Sequence, residues 1–184
     1  MKLIADKHTA VVGWDNAEDD SVNVMVGEPE PQDDVKREIT VRRVRATDRE
    51  GWERLWQQYL RFYRADLPGS TSDSTFARLC QGDSGLVGLL AVDAAGHELG
   101  LAHLIFHPST WAERPYCYLE DLFVDRAARG AGVGGRLFDV VYETAREHGA
   151  RRVYWLTQQY NGAARSLYDT VGHLTSFVVY EHEL

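Results

Sequence analysis

The sequence predicts a mixed, mostly antiparallel sheet with helices on both faces, an α/β or α+β sandwich. Two stretches, 50–63 and 133–148, carry apolar residues at three- and four-residue spacing, which marks amphipathic helices. Between them three β-rich runs follow one another without a helix, the mark of antiparallel neighbours. After residue 133 helices and strands alternate singly, which adds crossover connections.

Residues 1–36 stand apart by composition. They hold nine acids against three Lys, leaving residues 37–184 only −2 of the net charge of −8, and all 17 Arg follow residue 36. This acidic leader has two short β-type runs, 8–14 and 22–26, around an acidic turn. An isolated hairpin is weakly stable in water, so the leader is expected to be disordered or a loosely docked hairpin, with the folded domain spanning 37–184.

Within that domain Ile39, Val41 and Val44 read as a strand, and Thr47 with Glu50 as a capping box that opens a helix. Trp52, Leu55, Trp56, Tyr59, Leu60 and Tyr63 form that helix's single apolar stripe, which ends before Pro68-Gly69. A second short helix places Phe76, Leu79 and Cys80 on one side. Strands 85–92 and 98–106 form a hairpin through Ala94-Ala95-Gly96, and 116–124 is the next strand. The helix 133–148 buries Val133, Leu137, Val140, Val141, Thr144 and Ala145, and 153–157 is again a strand. Asn161 caps a helix bearing Ala164, Leu167, Tyr168 and Val171, and 176–181 is the closing strand.

Composition excludes several functions. A net charge of −8 argues against a nucleic-acid partner, which needs concentrated positive charge to displace counterions. No apolar run approaches the roughly 18 to 20 residues of a bilayer span, so no membrane role is expected. Asp6 and Lys7 precede any hydrophobic stretch long enough for export, which makes the cytoplasm the expected location. Cys80 and Cys117 lack ligand or disulfide spacing, and His103 and His107 lack a third ligand, so no metal is expected.

The segment Arg129-Gly130-Ala131-Gly132-Val133-Gly134-Gly135 joins a strand to a helix and is built to hold an anion. Its glycines let backbone N–H groups approach a phosphate, and the helix N-terminus adds partial positive charge. A Walker A loop needs Lys and then Ser or Thr, but Arg136 and Leu137 follow Gly135. A dinucleotide fingerprint needs an acid about 20 residues on, and 153–160 holds none. The third reading, Arg129-x-x-Gly132-x-Gly134, resembles the pyrophosphate turn of acetyl-CoA-dependent N-acyltransferases.

With it, residues 39–183 resemble the GNAT superfamily of N-acetyltransferases in element order. Tyr118-Leu119-Glu120-Asp121-Leu122-Phe123-Val124 ahead of the Gly turn is similar to the spermidine/spermine-type enzymes. Tyr154-Trp155, Asn161-Gly-Ala-Ala-Arg-Ser-Leu-Tyr168 and Val171-Gly172 resemble fungal acetyltransferases of histones, polyamines and D-amino acids. His173 departs from the aromatic or aliphatic residue usual after that glycine.

The resemblance implies acetyl-CoA as co-substrate, with Leu122, Phe123 and Val124 along its pantetheine arm. It likewise places Arg129, Gly130, Ala131, Gly132, Val133, Gly134 and Gly135 at the pyrophosphate, and Asn161 and Ala164 beside the cofactor. Tyr168 is then the proton donor to the departing thiolate, and Glu120 the base for a protonated amine. On strict alternation Glu120 shares a strand face with Leu122 and Asp121 points the other way, unless a bulge re-aims it. Tyr59, Glu120 and Asp121, with Glu113 as a further acid, are expected at the acceptor, a small primary amine that is polyamine-like or amino-acid-like. A homodimer is expected. The competing readings are a catalytically idle acyl-CoA-binding domain and a protein-lysine acetyltransferase.

Overall fold

Strand β2 (Leu86–Val92) shows why helices lie on both sides of the sheet. Its Val87, Leu89 and Ala91 are buried in one apolar cluster and its Leu90 and Val92 in another, so two-residue alternation feeds two cores. The structure is a computed structural model that describes residues 38–82, 85–182 and 184; the leader runs 8–14 and 22–26 lie outside the described residues.

The chain continues β1 (Thr40–Arg43), α1 (Arg49–Tyr63), α2 (Gly69–Gln81), β2, β3 (Glu98–Ser109), β4 (Ala112–Val124), α3 (Val133–Glu147), β5 (Val153–Trp155) and α4 (Gly162–Val171). The five strands lie in the order β1-β2-β3-β4-β5. Neighbours from β1 to β4 are antiparallel and β4 with β5 is parallel. The mixed, mostly antiparallel sheet flanked by helices is therefore observed. Trp52, Leu55, Trp56 and Leu60 of α1 pack with Phe76 and Leu79 of α2 on one face. Val133, Leu137, Phe138 and Val141 of α3 pack on the other, with Leu167 and Tyr168 of α4 against them. Phe138 joins Val133, Leu137 and Val141 in the buried stripe of α3, beyond the expected set, whereas Val140 is only partly buried. Among the described residues no helix is long and apolar enough to cross a membrane.

Two departures inside the sheet shape the site. Leu104 pairs with Leu119 but His103 pairs with Asp121, so Glu120 is an extra residue without a partner on β3, a β-bulge. One inserted residue reverses which face every later side chain takes. The expected sharing of a face by Glu120 and Leu122 is thereby corrected: Leu122 joins the α3-side cluster, while Phe123 joins the α1-side cluster. Asp121 is turned to the α1 side along with its partner His103, whose ring touches Trp52 and Trp56.

The second departure is a splay. Strand β5 pairs with β4 only at Cys117, Tyr118 and Leu119, and ends at Trp155 rather than 157. Residues 120–124 of β4 thus run on without β5, opening a wedge between the strands.

Two local expectations are corrected. The helix α1 starts at Arg49 after a 3-10 turn, Ala46–Asp48, and the Asp48 carboxylate accepts the Arg45 N–H at 2.7 Å, so Thr47 and Glu50 make no capping box. Arg42 donates to the same carboxylate, Nη1 at 2.6 Å and Nη2 at 2.9 Å, which anchors this turn to β1. Residues 176–181 form no strand, and Phe177, Val178, Val179 and Tyr180 are exposed. β-forming side chains make a strand only where a neighbouring edge supplies hydrogen-bond partners, and this segment meets none within the described chain.

Candidate active site

At the end of β4 the chain turns through Arg126–Ala128 into the glycine segment. Gly130 and Gly132 take φ of 80° and 82°, a left-handed backbone that favours glycine. A Cβ built on either one meets nothing within 4 Å, so both line open space. Gly132 is the N-cap residue of α3 and provides no side-chain cap, leaving the first-turn N–H groups of α3 facing that space. This is a cradle with unsatisfied donors at a helix N-terminus, and its chemistry fits the pyrophosphate of acetyl-CoA.

The seven residues of the turn do not play one role. Gly134 lines the cavity described next and also serves packing: a Cβ there would come within 2.8 Å of Leu167 Cδ2, so this glycine lets α4 approach α3. Ala131 is exposed and does not line the cavity described next. The Arg129 guanidinium lies over the Phe123 ring at 5.8 Å and its Nε donates to the Val124 carbonyl at 3.3 Å, which aims it along the turn.

A cavity of about 450 Å³ runs from Gly130, Gly132 and Gly135 past Leu122, Phe123 and Val124 to Tyr168. It occupies the wedge left by the splayed strands. Asn161 and Ala164 of α4 form part of its wall, and the Asn161 side chain accepts the Ala164 N–H at 3.4 Å as the helix cap. Tyr168 stands edge-on to Phe138 and Trp155, with centroids 5.8 and 5.5 Å away. Burial, followed by the nearby Tyr63, pushes its phenol up to about 12, while Thr157 opposes. The Tyr168 hydroxyl therefore keeps its proton throughout neutral pH.

Tyr59, Phe62 and Tyr63 of α1 close the cavity from the opposite face. The α1 stripe accordingly divides along its length: Trp52 and Trp56 are buried core, and Tyr59 and Tyr63 reach the cavity. Burial and then the charge of Asp121 raise both tyrosine phenols. Glu120 and Asp121 lie beside these rings rather than in the cavity wall. Glu120 projects from the bulge where solvent reaches it, yet partial desolvation and the neighbouring Asp121 raise its carboxyl above the ordinary carboxylate range, with His103 opposing. Glu113 does not join them; it is exposed at the turn end of β4, roughly 20 Å away by strand rise. His173 is likewise exposed and outside the cavity wall.

The sequence reading gave His103 no role beyond a weak metal candidacy, and the structure gives it one. Its Nδ1 lies 2.8 Å from Asp121 Oδ2 and its Nε2 is 2.9 Å from Trp52 Nε1, in a spot only 3% exposed. His107 serves elsewhere, with Nε2 2.9 Å from the Tyr154 hydroxyl. Among the described residues no three His, Cys, Asp or Glu are grouped as a metal would require. Cys117 is fully buried and burial pushes its thiol up to about 12, so it is a poor nucleophile at neutral pH.

Residues 42–173 match the Acetyltransferase (GNAT) family. A D-amino-acid N-acetyltransferase of Saccharomyces cerevisiae is 37% identical over 153 residues, covering 83% of this chain and 95% of the yeast protein. An uncharacterised N-acetyltransferase of Bacillus subtilis is 32% identical over 146 residues, 77% of this chain and 95% of its own length. In three dimensions an aminoglycoside N-acetyltransferase solved with CoA superposes with a TM-score of 0.69 over 80% of this chain and 95% of the other, at 20% identity. That last likeness is one of fold.

Proposed function

Because the chain belongs to the GNAT family of acetyltransferases, we propose that it moves an acetyl group from acetyl-CoA directly to a small, cationic primary amine, polyamine-like or amino-acid-like. One observation carries the reading: a single cavity connects the glycine cradle to Tyr168 and to Tyr59 and Tyr63, the two tyrosines that lie next to Asp121. The yeast relative acts on D-amino acids, as its name states, which supports a small acceptor over a protein lysine.

Bound acetyl-CoA supplies a thioester whose carbonyl is the electrophile and whose sulfur is the leaving group. Around it, Leu122, Phe123 and Val124 offer an unpaired strand edge for the pantetheine arm, and Arg129 with the N–H groups around Gly130, Gly132 and Gly135 holds the pyrophosphate. Tyr168 holds the proton on Oη at the acyl end of the cavity and is the general acid. Glu120 takes a proton from the acceptor ammonium, directly or through water, and its raised carboxyl suits it to the task. Asp121 and Tyr59 bind the cation, assisted by the aromatic face of Tyr63.

The pH dependence follows in sign. A base must be deprotonated to act, and a raised pKa keeps Glu120 protonated to higher pH, so kcat/KM should fall on acidification with an inflection above the usual carboxylate range. Glu120→Gln should remove that inflection and lower kcat/KM. Acceptor assays with spermidine, free D- and L-amino acids, an aminoglycoside and a histone-tail peptide at two salt concentrations test the acceptor class. A cationic acceptor should bind more weakly as salt rises. Preference for a neutral or anionic acceptor, indifferent to salt, would reject this reading, and CoA binding without turnover on any amine would favour an idle binding domain.

The protein acts, in this reading, as a homodimer in the cytoplasm. The support for the dimer is the exposure of Leu174, Phe177, Val178, Val179 and Tyr180, a length of apolar surface that a second copy would cover. A chain stopping after His173 should elute as a monomer in light-scattering chromatography where the full chain elutes as a dimer. A truncated chain that still dimerises would put the interface elsewhere.

A further inference from the structure

We infer that Trp52 and His103 are positioning residues that hold the Asp121 carboxylate in place and aimed at the acceptor's ammonium group, a role resting on the acceptor reading above. The indole nitrogen of Trp52 has a proton and no lone pair, so it only donates. At 2.9 Å it gives that proton to His103 Nε2, which must accept. The imidazole's own single proton is then on Nδ1, 2.8 Å from Asp121 Oδ2, and is donated to the carboxylate. A proton on Nε2 would set two donors against each other, so the indole fixes the tautomer.

The surroundings pack this arrangement tightly. Trp52 is fully buried and His103 nearly so, with the rings of Trp52 and Trp56 at 5.9 and 5.4 Å from the imidazole. His103 and Asp121 are cross-strand partners only because Glu120 is the extra residue of the bulge. The bulge therefore has two effects: it projects Glu120 outward and brings Asp121 under the imidazole.

With Oδ2 held by His103, Oδ1 remains for the acceptor's ammonium group, beside the Tyr59 side chain that also hydrogen-bonds Asp121. Neither ring nitrogen is open to a substrate proton, so His103 is not the base, which leaves proton removal to Glu120. Setting a carboxylate and an imidazole among aromatic rings costs stability that an apolar pair would not. A bound ammonium group completes the charge balance of such a site.

The test uses the full-length protein. In wild type, nitrogen-15 NMR of labelled histidine should show one imidazole with a protonated Nδ1 and an unprotonated Nε2, and Trp52→Phe, which keeps a ring in place, should disturb that signature. His103→Leu should raise the acceptor KM by about fivefold or more while acetyl-CoA affinity stays near wild type. His103→Asn should recover most of the loss, since its amide N–H can replace Nδ1 as donor. Because His103 acts through Asp121, adding His103→Leu to Asp121→Asn should change the acceptor KM little further, a coupling that a merely structural histidine would not show. The inference is overturned by an Nε2-protonated His103, by wild-type acceptor kinetics in folded His103→Leu, or by additive losses in the double variant. If Asp121→Asn alone is silent, the acceptor reading itself falls and takes this one with it; if Asp121→Asn is impaired while both histidine variants are normal, only the positioning role is lost. Should His103→Leu not fold, the histidine NMR signature and Trp52→Phe kinetics decide.

Discussion

Gly132→Asp should abolish acetyl-CoA binding and leave a folded protein. The residue is the N-cap of α3 with φ of 82°, and the space beyond its Cα is empty to 4 Å. An aspartate there places a carboxylate where the pyrophosphate meets the helix N-terminus, so the site becomes filled by its own side chain and repels the ligand. Strain in the left-handed region costs about 1–2 kcal/mol, and Asp tolerates that region better than most residues. The fold should therefore survive with a lower melting temperature. Calorimetric titration with acetyl-CoA should show affinity weakened by about a hundredfold or more, equivalent to roughly 2.7 kcal/mol. Gly132→Asn has the same shape without the charge, and should lose less. Wild-type affinity in Gly132→Asp would mean that the cofactor binds elsewhere.

Tyr168→Phe should lower kcat by about tenfold or more with acetyl-CoA affinity unchanged. The substitution retains the ring that stands against Phe138 and Trp155, so packing and stability should hold. It removes the Tyr168 hydroxyl, the proton donor of the proposed mechanism. Since the phenol stays protonated up to about 12, wild-type kcat should show no loss from Tyr168 ionisation between neutral pH and about pH 10. Rapid quench or free-thiol release assays give kcat, and titration gives the affinity. If both parameters remain at wild-type values, Tyr168 is a packing residue and another group protonates the thiolate.

Much of this molecule follows from short-range regularities that the chain alone contains. The apolar stripes of α1 and α3, the Asn161 cap of α4 and the left-handed glycines ahead of α3 each depend on residues within a few positions of one another. Periodicity and backbone permissiveness are local properties, so these elements and the glycine cradle were legible without coordinates. Membership of the cavity by Tyr168 was legible only through resemblance, because a tyrosine on the Leu167 face reads as core by spacing.

Other features depend on pairs of distant segments. A bulge is a relation between two strands, and no pattern within 116–124 says that Glu120 lacks a partner on β3. That single relation reversed the faces of Asp121 and Leu122. His103 acquires its role from Trp52, 51 residues earlier, and Asp121, 18 residues later. The segment 176–181 shows the converse, since strand-forming side chains alone did not make a strand where no edge among the described residues was within reach. Thus the sequence by itself determined the helices, the turn chemistry and the kind of ligand the turn accepts. Tertiary structure alone decided which carboxylate comes under the His103 imidazole, because register, bulge and cross-strand hydrogen bonds exist only once strands meet.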